Sequence, residues 1–226
     1  MFLVDRLLNR RCYFIDVGAN LGMYSYFYSR SFKEVVAFEP ISEVTMDIEK
    51  FRGGNIIVHN IALSNVESEL EFFIPVVRGE LCPGLASLES RSLPSERRIV
   101  SVKTLDSFNF NNVDLIKIDV EGHEYSVIQG AEKTIKKYKP LLIVEIEQRH
   151  IAAPIEVVFD LILKMGYNGY YILDMSVHSV NQFDCELNQT RHLDNVNNPK
   201  YVNNFIFVPN EMNVNCEEMT KSLLSL

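Results

Sequence analysis

The chain has 226 residues, enough for one domain with a sizeable core. Apolar residues make up 47% and charged residues 23%, which excludes a disordered or fibrous chain. Lys and Arg number 22 against 30 Asp and Glu, a net charge of −8 that argues against nucleic acid as the main partner, because duplex binding needs surplus cations to displace counterions.

Cysteines stand at 12, 82, 185 and 216 and form no C-x-x-C pair, so neither a zinc ribbon nor a redox dithiol is written here. Reduced thiols in a cytoplasmic protein are expected. No run of 18 apolar residues occurs, so no membrane-spanning helix is expected. Asp5 and Arg6 interrupt the apolar start, which therefore does not read as a signal peptide.

In chain order, the first strand is predicted at Tyr13-Phe14-Ile15 and a helix over 21–30 follows it. A second strand, 34–38, leads to a helix over 42–51, and a third lies at 56–58. Two extra strands, 70–74 and 99–102, flank a long loop, 75–98, rich in Pro, Gly, Ser and Arg. Long loops in compact domains are commonly lids, and this one is expected to cover the site and to move. Arg78, Arg91, Arg97 and Arg98 within it are available for an anionic or hydroxyl-rich acceptor. The fourth strand, 115–118, precedes a helix over 122–138 whose Val127, Ile128, Ala131 and Ile135 share one face. A fifth strand at 141–144 is followed by a helix over 155–165, with Gly166 as its stop. Runs 170–173 and 205–208, with no helix between them, predict an antiparallel pair at a sheet edge. The tail 211–226 has no assignment. Short, non-alternating, β-branched runs separated by helices predict a single α/β domain over 1–226 with a mostly parallel sheet.

Polar residues gather at the carboxyl ends of these runs, where an open α/β sheet binds ligands. Asp16-Val17-Gly18-Ala19-Asn20-Leu21-Gly22 follows the first, Glu39-Pro40 the second and Asn60-Ile61-Ala62 the third. Asp119-Val120-Glu121-Gly122-His123-Glu124 follows the fourth and Glu145-Ile146-Glu147 the fifth. Gly18 and Gly22 allow a tight turn and close approach of backbone to a ligand, and the next helix points its free N–H groups there. Glu39 stands at the second strand end, where a carboxylate accepts both hydroxyls of a ribose. The dinucleotide fingerprint G-x-G-x-x-G is absent, since Asn20 and Met23 occupy its second and third glycine positions, and a nicotinamide enzyme is a poor rival. Asp16 suits a ligand with a cationic amine and a sulfonium, such as S-adenosylmethionine. Magnesium could bind among Asp119, Glu145, Glu147 and His150, but no spacing requires it and no metal is expected. His59, His178 and His192 show no partner pattern. The run Tyr24-Tyr26-Phe27-Tyr28 reads as helix packing, with Tyr24 close enough to touch the first turn.

In this order, FIDVGANLGMYS, VVAFEP, HNIALS, VKTLDSF, VDLIKIDVEGHEYSVIQGA and PLLIVEIE resemble the FkbM-type family of S-adenosylmethionine-dependent methyltransferases, over residues 12–150. Fewer residues precede the first strand than the family usually carries. The resemblance implies a class I methyltransferase (Rossmann-like) fold, a mostly parallel seven-stranded sheet with an antiparallel closing hairpin. It implies methyl transfer from S-adenosylmethionine, with oxygen on a small molecule or sugar as acceptor. Asp16, Gly18, Asn20 and Gly22 resemble the family's cofactor loop, Glu39 its ribose-binding acid, and Ile61 and Ala62 its adenine contacts. Asp119 and the Glu121-Gly122-His123-Glu124 that follows resemble the signature facing methyl donor and acceptor. The N-P-P-Y motif of base-modifying relatives is absent.

A hydroxyl acceptor must lose a proton. His123 is the candidate base by type, with an unperturbed pKa of about 6.5, set against a partly exposed first-turn helix residue. Asp119 is the alternative if burial or a neighbouring charge raises its pKa. Glu121 and Glu124 also suit a helix N-terminus. The rival reading is a non-catalytic, cofactor-binding scaffold or partner subunit of the same fold.

Overall fold

The computed structural model describes residues 2–51, 54–90 and 94–225. Its first half runs α1 (Phe2–Leu7), β1 (Tyr13–Val17), α2 (Met23–Ser29), β2 (Glu34–Phe38), α3 (Ser42–Phe51), β3 (Ile56–His59), β4 (Ala62–Leu63), β5 (Ser68–Val77), β6 (Glu80–Leu81) and β7 (Ser95–Lys103). The second half runs β8 (Val113–Ile118), α4 (Glu124–Gly130), α5 (Glu132–Tyr138), β9 (Leu141–Glu145), α6 (Glu156–Leu163), β10 (Tyr167–Leu173), β11 (Ser176–Ser179), α7 (Cys185–Asn188), β12 (Asn204–Pro209) and α8 (Cys216–Leu224).

The main sheet has the order β11-β10-β12-β9-β8-β1-β2-β3. From β3 to β9 every pairing is parallel. The last three strands pair antiparallel, with β12 inserted between β9 and β10. Eight strands therefore replace the expected seven, and the late pair does not end the sheet. The added edge strand, β11, carries one buried apolar side chain, Val177, so it shows no apolar run. Its edge is partly closed by α8, where Thr220 Oγ1 accepts from the Val177 N–H at 2.9 Å.

Alternate residues of the buried strands feed two cores, as a pleated strand requires. Ile15, Ile116 and Phe205 face α4, α5 and α6 through Val127, Ile128, Ile135 and Phe159. Phe14, Leu115 and Ile206 face α1, α2 and α8 through Val4, Tyr28 and Met219. The helix expected over 122–138 is two helices, although its apolar stripe is buried throughout. Asp106 accepts from the backbone N–H groups of Lys133 and Thr134 at 3.0 and 2.8 Å, capping a fresh helix start. The tail 211–226 holds α8, whose Asn215 and Glu218 make a capping box.

Between β3 and β8 lies a smaller sheet, β4-β7-β5-β6, with its own core of Phe72, Ile74, Val100 and Val102 against Ile41 and Val44 of the α3 side. Here β5 and β7 pair from Ser68↔Val102 to Pro75↔Ser95, so strand extends well into the expected loop. Arg91 lies outside the described residues. No helix of the described residues is long and apolar enough to cross a membrane.

Candidate active site

The turn after β1 is pinned to β2: Gly18 and Ala19 both donate their N–H to the Phe38 carbonyl at 3.0 Å. Gly18 has φ +71°, and a Cβ there would lie 1.8 Å from the Asp119 carbonyl oxygen. The glycine is required by the crossing of β8's end over this turn, a chain-to-chain approach, and it also lies along the pocket described next. Gly22 caps α2 and packs toward Ile48 of α3.

Glu39 ends up 6% exposed. Its Oε2 accepts from Asn20 N and its Oε1 from Ile41 N, each at 3.0 Å. Burial pushes its carboxyl up to about 7 despite those two bonds. Each oxygen retains a lone pair beyond them. A pocket opens beside Glu39, walled by Phe38, Ile61, Ala62 and Phe72. Gly18 and Asn20 lie along it, and Asp119, Glu121 and His123 stand at its far side.

A strap, Pro83 to Glu89, lies over this pocket and contributes Pro83, Gly84, Ala86 and Leu88 to its lining. Ser87 pairs with Phe73 through two backbone bonds, and its Oγ donates to the Val120 carbonyl at 3.2 Å. Glu89 Oε1 meets His123 Nδ1 at 2.7 Å, while His123 Nε2 meets Ser64 Oγ at 2.8 Å. Both ring nitrogens of His123 are thus engaged by the protein. Free space in the pocket is about 50 Å³ with the strap in this position.

The family model described as the methyltransferase FkbM domain matches residues 16–170. The chain belongs to this family. Among solved structures, this FkbM domain is similar to a methyltransferase FkbM from Methylobacillus flagellatus KT, at 16% identity and TM-score 0.56 over 88% of this chain. It spans 43% of the length of that structure. Weaker similarities are to a precorrin-6y C5,15-methyltransferase from Geobacter metallireducens GS-15 (11% identity, 75% of this chain and 70% of that one, TM-score 0.45) and an rRNA methylase from Streptococcus thermophilus (10%, 91% and 89%, TM-score 0.48). No curated protein matches the chain significantly.

Behind the pocket of the FkbM domain sits a lysine that sequence reading passed over. Lys117, inside β8, is 5% exposed. Its Nζ donates to Asp119 Oδ2 at 3.0 Å and to the Gly18 carbonyl at 3.2 Å, lies 3.9 Å from Asp16 Oδ1, and stands 5.1 Å from the centre of the Tyr24 ring. Burial alone would lower its pKa, but the Asp119 and Asp16 carboxylates outweigh that and raise it, so the ammonium stays charged. The signal was available: a lysine flanked by Leu115, Ile116 and Ile118 in a buried strand needs a buried partner.

Asp16 is fully buried and does not line the pocket. Ser25 Oγ donates to its Oδ2 at 2.7 Å, and its Oδ1 has no hydrogen-bond partner. Its place is behind Lys117. The other expected site residues, Gly18, Asn20, Glu39, Ile61, Ala62, Asp119 and His123, all line the pocket, and Gly22 does not. Two of the loop arginines are turned to other partners: Arg98 pairs with Glu43 and Glu96, and Arg97 with Glu71.

A tight crevice, with no free volume for a water, meets the pocket at Asp119 and Glu121 and is lined further by Glu124, Glu145, Glu147 and His150. His150 Nδ1 lies 2.8 Å from Glu121 Oε2. Glu147 is held by Arg149 at 2.6 Å and by the Tyr201 hydroxyl, which keep its carboxyl below its ordinary range despite burial. Glu124 Oε1 accepts from Gly122 N at 2.9 Å, holding the turn before α4. Asn203 and Asn204 donate their amides to the two oxygens of Glu145 at 2.7 and 3.3 Å. Among the described residues, no three His, Cys, Asp or Glu side chains are placed to hold a metal ion.

Proposed function

We propose that the chain transfers a methyl group from S-adenosylmethionine to a hydroxyl oxygen of a small molecule or sugar. The observation that carries this is Glu39, a buried carboxylate at the end of β2 with one backbone N–H on each oxygen. The lone pairs that remain match the two adjacent hydroxyls of a ribose. The donor set fits the rest of the molecule too. Phe38, Ile61, Ala62 and Phe72 offer apolar walls to a flat base, and Asp119, at the far side, offers negative charge to the cationic end.

When bound, the donor supplies a methyl group already activated by its sulfonium. The chain's own task is then to hold the acceptor oxygen in line and to receive its proton. Alignment of this kind contributes up to roughly 7–11 kcal/mol in favourable cases. Lys117 fixes Asp119 at the strand end.

The test is formation of S-adenosylhomocysteine with a panel of methyl glycosides and phenols. Transfer to at least one hydroxyl acceptor is expected, with the methyl found on oxygen. Donor binding with no product from any acceptor would favour the scaffold reading.

A further inference from the structure

We propose that Glu145 takes the proton of the acceptor hydroxyl, and that the acceptor reaches it along the groove between α2 and the ends of β9, β12 and β10. The inference rests on the methyl-transfer reading and supplies the base that reading needs.

Register places Glu145 at the reacting edge. Ile118 pairs with Val144 in the parallel β8–β9 ladder, so the next residues, Asp119 and Glu145, stand side by side at the carboxyl ends. Both line the tight crevice that meets the donor pocket at Asp119 and Glu121.

The other candidates are already committed. A base must offer a lone pair within hydrogen-bond reach of the proton it removes. Whichever tautomer His123 adopts, its nitrogens face Glu89 and Ser64. Asp119 is taken up by the Lys117 ammonium, which donates to its Oδ2 at 3.0 Å. Glu147 is bound by Arg149 and Tyr201, and Glu121 by His150. Glu145 accepts from two neutral amides, which orient it without discharging it.

The charged and titratable groups around Glu145 come from several elements. Asp119 and Lys117 face it from β8, Glu121 from the turn after β8, and Glu147 from beyond its own strand. Tyr24 of α2 and Tyr201, ahead of β12, also feel its charge. Burial first, then Asp119 and Glu147, raise the Glu145 carboxyl to about 8, with Lys117 opposing. Of the two carboxyls side by side, Asp119 faces the Lys117 ammonium and Glu145 is able to take up a proton near neutrality.

The groove beside this pair has a volume of about 300 Å³. Tyr24, Tyr201, Asn203 and Asn204 supply hydroxyls and amides, over a floor that includes Ile143 and Ile172. Asn203 and Asn204 are the residues that hold Glu145, so the carboxyl lies one amide away from the groove. None of the groove's lining residues is charged. With carboxylates behind it, the groove suits a neutral, hydroxyl-bearing acceptor and disfavours a phosphorylated one.

In the step itself, the acceptor's O–H proton passes to a Glu145 carboxylate oxygen. The oxygen pair forms the new O–CH3 bond while the S–CH3 pair returns to sulfur, leaving a neutral thioether. Glu145 then releases its proton to water.

The experiment compares the full chain with Glu145→Gln, Glu145→Asp and His123→Asn, using S-adenosylmethionine and the methyl glycoside and phenol panel. Glu145→Gln should bind the donor within about threefold of wild type and lose roughly 10²–10⁴-fold in turnover. Wild type should show a pH–rate limb rising toward about 8. His123→Asn and Glu145→Asp should keep that limb, and Glu145→Gln should lose it. Turnover by Glu145→Gln near the wild-type rate, or an unchanged limb in that variant, overturns the proposal while leaving methyl transfer intact. Donor binding that is normal in both proteins keeps a folding defect from being mistaken for a lost base. Failure of wild type itself to form product with any panel member overturns the methyl-transfer reading instead.

Discussion

Lys117 is the residue on which the charges of the site turn. It stands in a fully buried strand and faces Asp119 and Asp16. Breaking a buried ion pair by removing one partner typically costs about 3–5 kcal/mol, because the other charge stays buried alone. Lys117→Met should therefore lower unfolding free energy by about that amount, read from the urea midpoint at unchanged slope. Adding Asp16→Asn should restore part of it, since the two residues interact and their effects are not additive. Equal stability of wild type and Lys117→Met would remove the lysine from this account. At the residue scale, strand-end groups such as Glu39 and Asp119 were legible because a parallel sheet brings all its carboxyl ends to one edge. The partners of those groups were not. Ser64 lies 59 residues from His123, Glu89 lies 34 residues away, and Asn203 lies 58 residues from Glu145. Such pairings depend on three-dimensional packing that no local pattern encodes.

Among the elements, the strap over the pocket has the most direct bearing on function. About 50 Å³ of free space remains beneath it, whereas pockets for small molecules hold roughly 300–1,000 Å³. Entry of the proposed donor requires the strap to lift. Its ties to the rest of the domain include the Ser87 bonds to Phe73 and Val120 and the Glu89–His123 contact. The paired β5 and β7 on either side make a continuous ladder. Hydrogen exchange should thus be faster at 82–90 than in the flanking strands, and should slow when S-adenosylmethionine saturates the protein. Exchange at 82–90 that matches the flanks and ignores the donor would contradict a moving strap. Element types were read well from short apolar runs. The break between α4 and α5 was not, because it depends on Asp106, a residue outside the helix, capping the second start. The long β5–β7 pairing escaped for a related reason: Arg97 and Arg98 are charged strand residues, one exposed and one paired with Glu43, that read as loop composition.

Taken whole, the molecule assembles its proposed donor pocket from six stretches: the β1 turn, the β2 end with Glu39, the β3–β4 segment with Ile61 and Ala62, Phe72 of β5, the strap, and the turn after β8. The parallel half of the sheet follows from the spacing of β-branched runs. The antiparallel end follows less directly, since β11 contributes a single buried side chain and is covered by a helix from the tail. The measurement that bears most directly on the central claim is calorimetric titration of S-adenosylmethionine into wild type and Glu39→Ala between pH 5.5 and about 8, with buffers of different ionisation heats. Burial pushes the free Glu39 carboxyl up to about 7, and hydroxyl donors favour its ionised form. Binding below that value should release a proton, so affinity should rise with pH and level off above it. Hydrogen bonds to a charged group contribute about 1.5–3 kcal/mol each, so Glu39→Ala should bind at least about tenfold more weakly and lose the buffer dependence. Wild type that fails to bind, or a Glu39→Ala variant with unchanged affinity and unchanged proton release, would contradict the account.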